Sequence, residues 1–165
     1  MSEITLNTER KTVKNSQVEM IEMVFPNDAN PHGNIFGGRV MQLIDIIGSI
    51  AAMRHARNAV VTASMDQLDF KNPVRVGEVL ILNASVNYVG RSSMEVGVKV
   101  TAENPLTGER RHTSSAYLTY VAIDPTASPV QLPAIIPETN EEKRRYQEAQ
   151  ERRKHRLEVR ESKKK

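Results

Sequence analysis

Asp45 stands in a setting that demands an explanation. It follows Ile44 and precedes Ile46 and Ile47 in an apolar run, where a carboxylate is costly unless it is hydrogen-bonded. Such a group is either a structural acid satisfied by a partner or a reacting one. Gly37 and Gly38 open the same run, after a loop from Asn27 to Phe36 that is rich in turn formers and includes Asn34. At a helix start, free N–H groups and the helix dipole can hold an anion or a developing oxyanion, and glycine lets a substrate approach the backbone closely. The plainer readings are tight helix packing for the two glycines and an N-cap or turn amide for Asn34. Together, a carboxylate, an amide and backbone donors could move a proton and stabilise an oxyanion without a serine nucleophile.

Other chemistries find little support. No G-x-S-x-G elbow, Walker A loop, G-x-G-x-x-G or H-E-x-x-H occurs. The chain has no cysteine, and His32, His55, His112 and His155 lack metal-ligand spacing. The pI of about 9.3 hints at nucleic acid, but the charge is uneven. From Glu138 to Lys165, 11 Lys and Arg face 7 Asp and Glu, which leaves 12 and 13 in residues 1–137 from totals of 23 and 20. The basicity belongs to the tail, so nucleic-acid binding is not expected. No apolar stretch reads as a signal peptide, membrane anchor or spanning helix, and a cytoplasmic location is expected.

The elements that must position these residues are legible from period. From Phe36 to about Arg57 apolar residues fall at Val40, Leu43, Ile44, Ile47, Ile50 and Ala51, the spacing of a helix about 33 Å long. Five stretches alternate as strands: Val18 to Phe25, Ala59 to Phe70, Glu78 to Val89, Met94 to Thr101 and Arg111 to Ile123. Gly90-Arg91-Ser92 and Asn104-Pro105-Leu106-Thr107-Gly108 join the last three by short turns, which predicts an antiparallel meander. The architecture is one strand, a central apolar helix, then four strands that wrap it. Residues 1–15 read as a flexible N-terminus and 16–124 as the folded domain. Residues 125–165 read as a Pro-punctuated crossing and a charged helix, capped by Asn140 and solvated for want of an apolar stripe.

The chain resembles the cytosolic acyl-CoA thioesterases of the hotdog fold, in the long-chain acyl-CoA hydrolase branch. The resemblance rests on Asn27 to Asn30, Gly33 to Gly38, Met41 to Asp45, Arg54-His55, Val61 to Ser64, Gly90 to Glu95, Ser115 to Val121 and Pro137 to Thr139, and covers roughly residues 16 to 145. It implies an α+β fold with a five-stranded antiparallel sheet around one long helix, and hydrolysis of fatty acyl-CoA to free acid and CoA with no cofactor. Asp45 would be general base or nucleophile. Asn34 would orient water or the carbonyl, and the backbone N–H of Gly38, with Gly37 beside it, would polarise the thioester oxygen. Arg91, Ser92 and Ser93 match the CoA-binding turn, where a guanidinium and two hydroxyls suit a phosphate. Arg91 as an ordinary exposed turn residue is the alternative. The resemblance also implies a homodimer with the site at its interface, Thr62 and Ser64 as contacts to the partner subunit, and a trimer of dimers. Thr62 and Ser64 read equally as solvent-facing strand residues. Two rival functions remain: an acyl-CoA-sensing module without turnover, supported by the appended helix, and a hydratase or dehydratase using His32.

Overall fold

The computed structural model describes residues 9–66 and 68–164. In chain order the elements are β1 (Arg10–Thr12), β2 (Val18–Met23), α1 (Gly37–Ala56), β3 (Ala59–Met65), β4 (Val79–Val89), β5 (Ser93–Glu103), β6 (Arg110–Ile123), β7 (Ala134–Ile136) and α2 (Asn140–Ser162). Five strands form one antiparallel sheet in the order β2-β4-β5-β6-β3. The meander β4-β5-β6 is its centre, as the short turns imply. The sheet wraps α1, whose Val40, Leu43, Ile44, Ile47 and Ala51 are buried against the alternate residues of the strands, among them Leu82, Val96 and Leu118. Each fully buried Leu, Ile or Val contributes about 1.5–3 kcal/mol. Arg57 ends the helix in the left-handed region at φ 52° and donates its N–H to Met53 O at 2.8 Å. Among the described residues no helix is long and apolar enough to cross a membrane.

Four local differences from the sequence reading have physical causes. β3 stops at Met65 rather than Phe70. Its register with β6 shifts between Thr62 and Ser64, and the chain then turns toward the start of α1, where Ile35 N–H bonds Val74 O at 2.8 Å. Of the N-terminal stretch read as flexible, residues 1–8 lie outside the described residues. Residues 10–12 pair in parallel with β7, Arg10 opposite Ala134, and Val13 buries its side chain. The same pairing puts a strand inside the Pro-punctuated crossing, where Leu132 and Ile135 are buried. Finally, Thr139 rather than Asn140 caps α2. Its hydroxyl accepts Glu142 N–H at 3.1 Å while the Glu142 carboxylate accepts Thr139 N–H at 3.2 Å, a reciprocal capping box.

α2 is also not solvated all round. Ala149 is fully buried, Tyr146 tilts against Tyr88 with ring centres 5.1 Å apart, and the Arg152 guanidinium lies 3.6 Å over the Tyr117 ring. Beneath it Glu95, almost wholly buried, takes Arg152 at 2.7 Å and Arg156 at 3.4 Å, and Arg156 also reaches Asp66 at 2.8 Å. Tyr146, Ala149, Arg152 and Arg156 recur at helical spacing on one face, so the stripe that docks α2 is made of an aromatic, an alanine and two arginines.

His55 ties the last turn of α1 to the segment before β7. It is fully buried, and its Nε2–H donates to Pro133 O at 2.8 Å. Burial holds its pKa below the ordinary 6.5. The unfolded chain therefore takes up the proton first, and the stability from this neutral ring is complete above pH 6.5 and lost as pH falls through the folded value. The urea midpoint is expected to drop between pH 7.5 and pH 5, and by less in His55→Gln.

Candidate active site

Asp45 sits half-buried on α1 beneath the β3–β6 edge of the sheet. Its Oδ1 accepts two hydrogen bonds, from Thr62 Oγ1 at 2.8 Å and from Tyr120 Oη at 2.9 Å. Thr62 and Tyr120 are direct cross-strand partners, so one rung of the ladder presents both hydroxyls to the helix. Tyr120 Oη also lies 3.0 Å from the Asp45 carbonyl oxygen. Burial first, and then the Asp45 carboxylate, push the Tyr120 pKa far up, so the phenol stays a donor at any working pH. Among the described residues no group donates to Asp45 Oδ2. Among the described residues, then, one carboxylate oxygen is held and the other meets no donor.

The start of α1 is equally open. Phe36 occupies the N-cap position without a side-chain cap, and among the described residues no acceptor meets the N–H of Gly37 or Gly38. Packing accounts for one glycine only. A Cβ at Gly37 would lie 3.3 Å from the Phe70 ring, whereas one at Gly38 would meet nothing within 4 Å. The loop before the helix is knitted by Asn30, whose Oδ1 accepts the N–H of His32 at 3.0 Å and of Asn34 at 3.2 Å. Among the described residues no acceptor meets the Asn30 amide N–H₂. Asn34 bridges to Arg75 and is half-buried.

Of the residues singled out by sequence, the structure brings together Asp45 and Thr62 within one chain. Thr62, read as a contact to a partner subunit, is bonded to Asp45 of its own chain. Ser64 turns its hydroxyl into a buried position with no partner among the described residues. Arg91, Ser92 and Ser93 form the β4–β5 turn, closed by Gly90 N–H to Ser93 O at 2.8 Å. The Arg91 side chain is exposed and meets no partner among the described residues, and with Ser92 it flanks a shallow cavity against Pro129, Val130 and Gln131. Met94, next after this turn, faces Tyr120 across the ladder, so the turn and Asp45 share one end of the sheet. Asn34, Gly37 and Gly38 lie at the other end, where β4 begins and β6 enters: Asn34 bridges Arg75, and Lys71 N–H bonds Thr113 O at 2.9 Å. Gly38 and Asp45 are themselves separated by about 10 Å of helix rise. Sequence reasoning quoted Asn30 and Tyr120 within the resembling stretches without giving either a role, and it did not single out Gly48. The available signal was a glycine three residues after Asp45, on the same helix face.

The sequence pattern of the thioesterase superfamily matches residues 32–109. An uncharacterized acyl-CoA thioester hydrolase of Bacillus subtilis is 46% identical over 134 residues, covering 81% of this chain and 78% of its own length. The chain belongs to the acyl-CoA thioester hydrolases. In this hydrolase family, the crystal structure of an apo-hexameric acyl-CoA thioesterase superposes with a TM-score of 0.89 at 44% identity, over 92% of this chain and 97% of that one. An acyl-CoA hydrolase from Staphylococcus aureus, solved in complex with butyryl coenzyme A, coenzyme A and coenzyme A disulfide, superposes at 0.87 with 38% identity, over 94% of each chain. Alanine variants of the Staphylococcus aureus hydrolase exist at an aspartate, at a threonine 17 residues after it and at an asparagine 15 residues before it. The chain spans 39% of the rat cytosolic acyl coenzyme A thioester hydrolase, to which it is 36% identical.

Proposed function

We propose that the protein hydrolyses fatty acyl-CoA thioesters to the free acid and CoA, with Asp45 as the reacting carboxylate. One observation carries this reading: on a helix where isoleucines flank it, Asp45 is gripped on Oδ1 and, among the described residues, meets no donor on Oδ2. Oδ2 takes a proton from water, the water oxygen adds to the thioester carbon, and the C–S bond breaks as the thiolate leaves and is protonated. A direct attack by the carboxylate would use the same oxygen. The free N–H of Gly38, with Gly37 beside it, receives the carbonyl oxygen as it gains charge. Arg91 and the Ser92 and Ser93 hydroxyls serve the phosphates of CoA.

The loop amide is assigned to Asn30 together with Asn34. Asn30 precedes Asp45 by 15 residues and Thr62 follows it by 17, the spacings of the three alanine variants made in the Staphylococcus aureus hydrolase. Among the described residues Asn30 also has no acceptor on its N–H₂, and its Oδ1 fixes the backbone of Asn34.

One reacting carbonyl cannot touch both Gly38 and Asp45 of a single chain across about 10 Å of helix. A symmetric second copy that reverses the direction of α1 would bring the loop of one subunit to the carboxylate of the other. The exposed Met41, Ile46 and Met53 on α1 and Val61 on the edge strand β3 offer an apolar surface for that contact. We therefore place the site at a homodimer interface, and the hexameric relative supports a trimer of such dimers. A hydratase reading would need a histidine beside the acid, but among the described residues no histidine bonds Asp45, and His32 lies exposed in the loop at the other end of the sheet.

Thiol release from acyl-CoAs of short to long chain tests the activity, and co-expressed variants test the shared site. Asp45→Ala and Asn30→Ala are each expected to be inactive alone. Co-expressed, they should recover about a quarter of wild-type turnover, because half of the dimers are mixed and each mixed dimer has one intact site. Recovery no greater than the two variants show separately would place both residues in a site built by one chain.

A further inference from the structure

We propose that Tyr120 is the positioning residue of the Asp45 carboxylate, fixing which oxygen faces the substrate, and that Gly48 is a glycine in order to seat it. This rests on the reading of Asp45 as the reacting group.

The Asp45 side chain could turn about its last torsion and present either oxygen. Two donors on Oδ1 prevent that, and they differ in kind. Thr62 is exposed, with a hydroxyl that rotates freely. Tyr120 is fully buried, and its rigid ring carries the phenol to a fixed point 2.9 Å from Oδ1. That same oxygen lies 3.0 Å from the Asp45 carbonyl. The phenol has one proton, and the anionic carboxylate is the stronger acceptor, so the hydrogen bond goes to Oδ1 and Oδ2 remains for water.

The seat for that ring is visible in α1. A Cβ at Gly48 would fall 2.5 Å from Tyr120 Oη and 3.2 Å from two ring carbons, so no side chain fits there without driving the phenol away from Asp45. Glycine in a helix interior is disfavoured relative to alanine. Position 48 keeps it one turn after Asp45, where the helix meets the ring.

Steady-state thiol release on Tyr120→Phe, Gly48→Ala, their combination and Asp45→Asn tests this. Tyr120→Phe should lower kcat by about 10- to 100-fold, the loss expected for one hydrogen bond to a charged group, with KM for acyl-CoA within about twofold. Gly48→Ala, which strengthens the helix itself, should lower kcat similarly. The combination should be no worse than Tyr120→Phe, because the two changes remove one contact. Wild-type kcat in Tyr120→Phe, or a change in KM alone, overturns the proposal while an inactive Asp45→Asn leaves the reading of Asp45 standing. Wild-type turnover in Asp45→Asn removes that reading and this proposal together. Should Tyr120→Phe not fold, Gly48→Ala decides, and wild-type kcat there overturns the proposal.

Discussion

Asp45→Asn is expected to reduce acyl-CoA hydrolysis by about a thousandfold, the middle to upper part of what one positioned acid–base group contributes. The change is nearly isosteric. An amide oxygen still accepts from Thr62 and Tyr120, now 2.8 and 2.9 Å from Oδ1, so the rung of the sheet and the packing of Ile44 and Ile47 stay as they are. What disappears is the basicity of the open oxygen. Product CoA should bind as in the wild type, since Arg91 and the turn proposed to hold its phosphates are untouched, and calorimetric titration with CoA measures this directly. Turnover of the variant within tenfold of wild type would take Asp45 out of the chemistry and make it the hydrogen-bonded structural acid that its neighbours equally permit.

The second large effect is on stability. Arg152→Ala removes the closest cation from Glu95, whose side chain is 1% exposed. What remains is Arg156 at 3.4 Å, already engaged by Asp66, and the Asn87 amide at 3.3 Å. A buried carboxylate that loses its partner typically costs about 3–5 kcal/mol. The stacking of Arg152 on Tyr117 goes as well. Chemical denaturation should show the loss, at fixed protein concentration because assembly contributes to apparent stability. Amide hydrogen exchange should show it first in α2, which can release from the sheet before the rest unfolds. Replacing Glu95 and Arg152 together by apolar residues of similar size should cost less than Arg152→Ala alone, because no charge is then left buried. If the single and double changes cost the same, the ion pair does not dock the helix.

The parts of the fold that could be read from residues are those where one physical pattern dominates. Met94, Val96, Val98 and Val100 alternate without interruption, and short turns on both sides leave the meander few alternatives. The apolar spacing from Val40 to Ala51 does the same for α1. Parallel pairing of β1 with β7 is a different matter. Two three-residue strands about 120 residues apart carry no period, and only the burial of Val13, Leu132 and Ile135 brings them together. The docking of α2 was hidden because its partner, Glu95, occupies an outward strand position that alternation assigns to solvent. In the candidate site, Asp45 stood out in the sequence through the cost of a carboxylate among isoleucines. Tyr120 was not, since it is one member of a strand of alternating Tyr, Thr and Val, and its bond to Asp45 depends on a register and a glycine on another element. Asn30 was hidden among several turn-forming amides of one loop.

The placement of Gly38 and Asp45 at different levels of one helix shapes how such a site can be inherited. In the shared site proposed above, every copy of a pair would lend its loop to one centre and its carboxylate to the other, so any mutation would strike both centres alike. Two copies joined end to end in one polypeptide escape that symmetry. The loop of the first copy and the acid of the second then belong to one centre, and the remaining pair to the other. Drift can erase one centre without touching its twin, and the idle half is free to acquire a new ligand while catalysis continues.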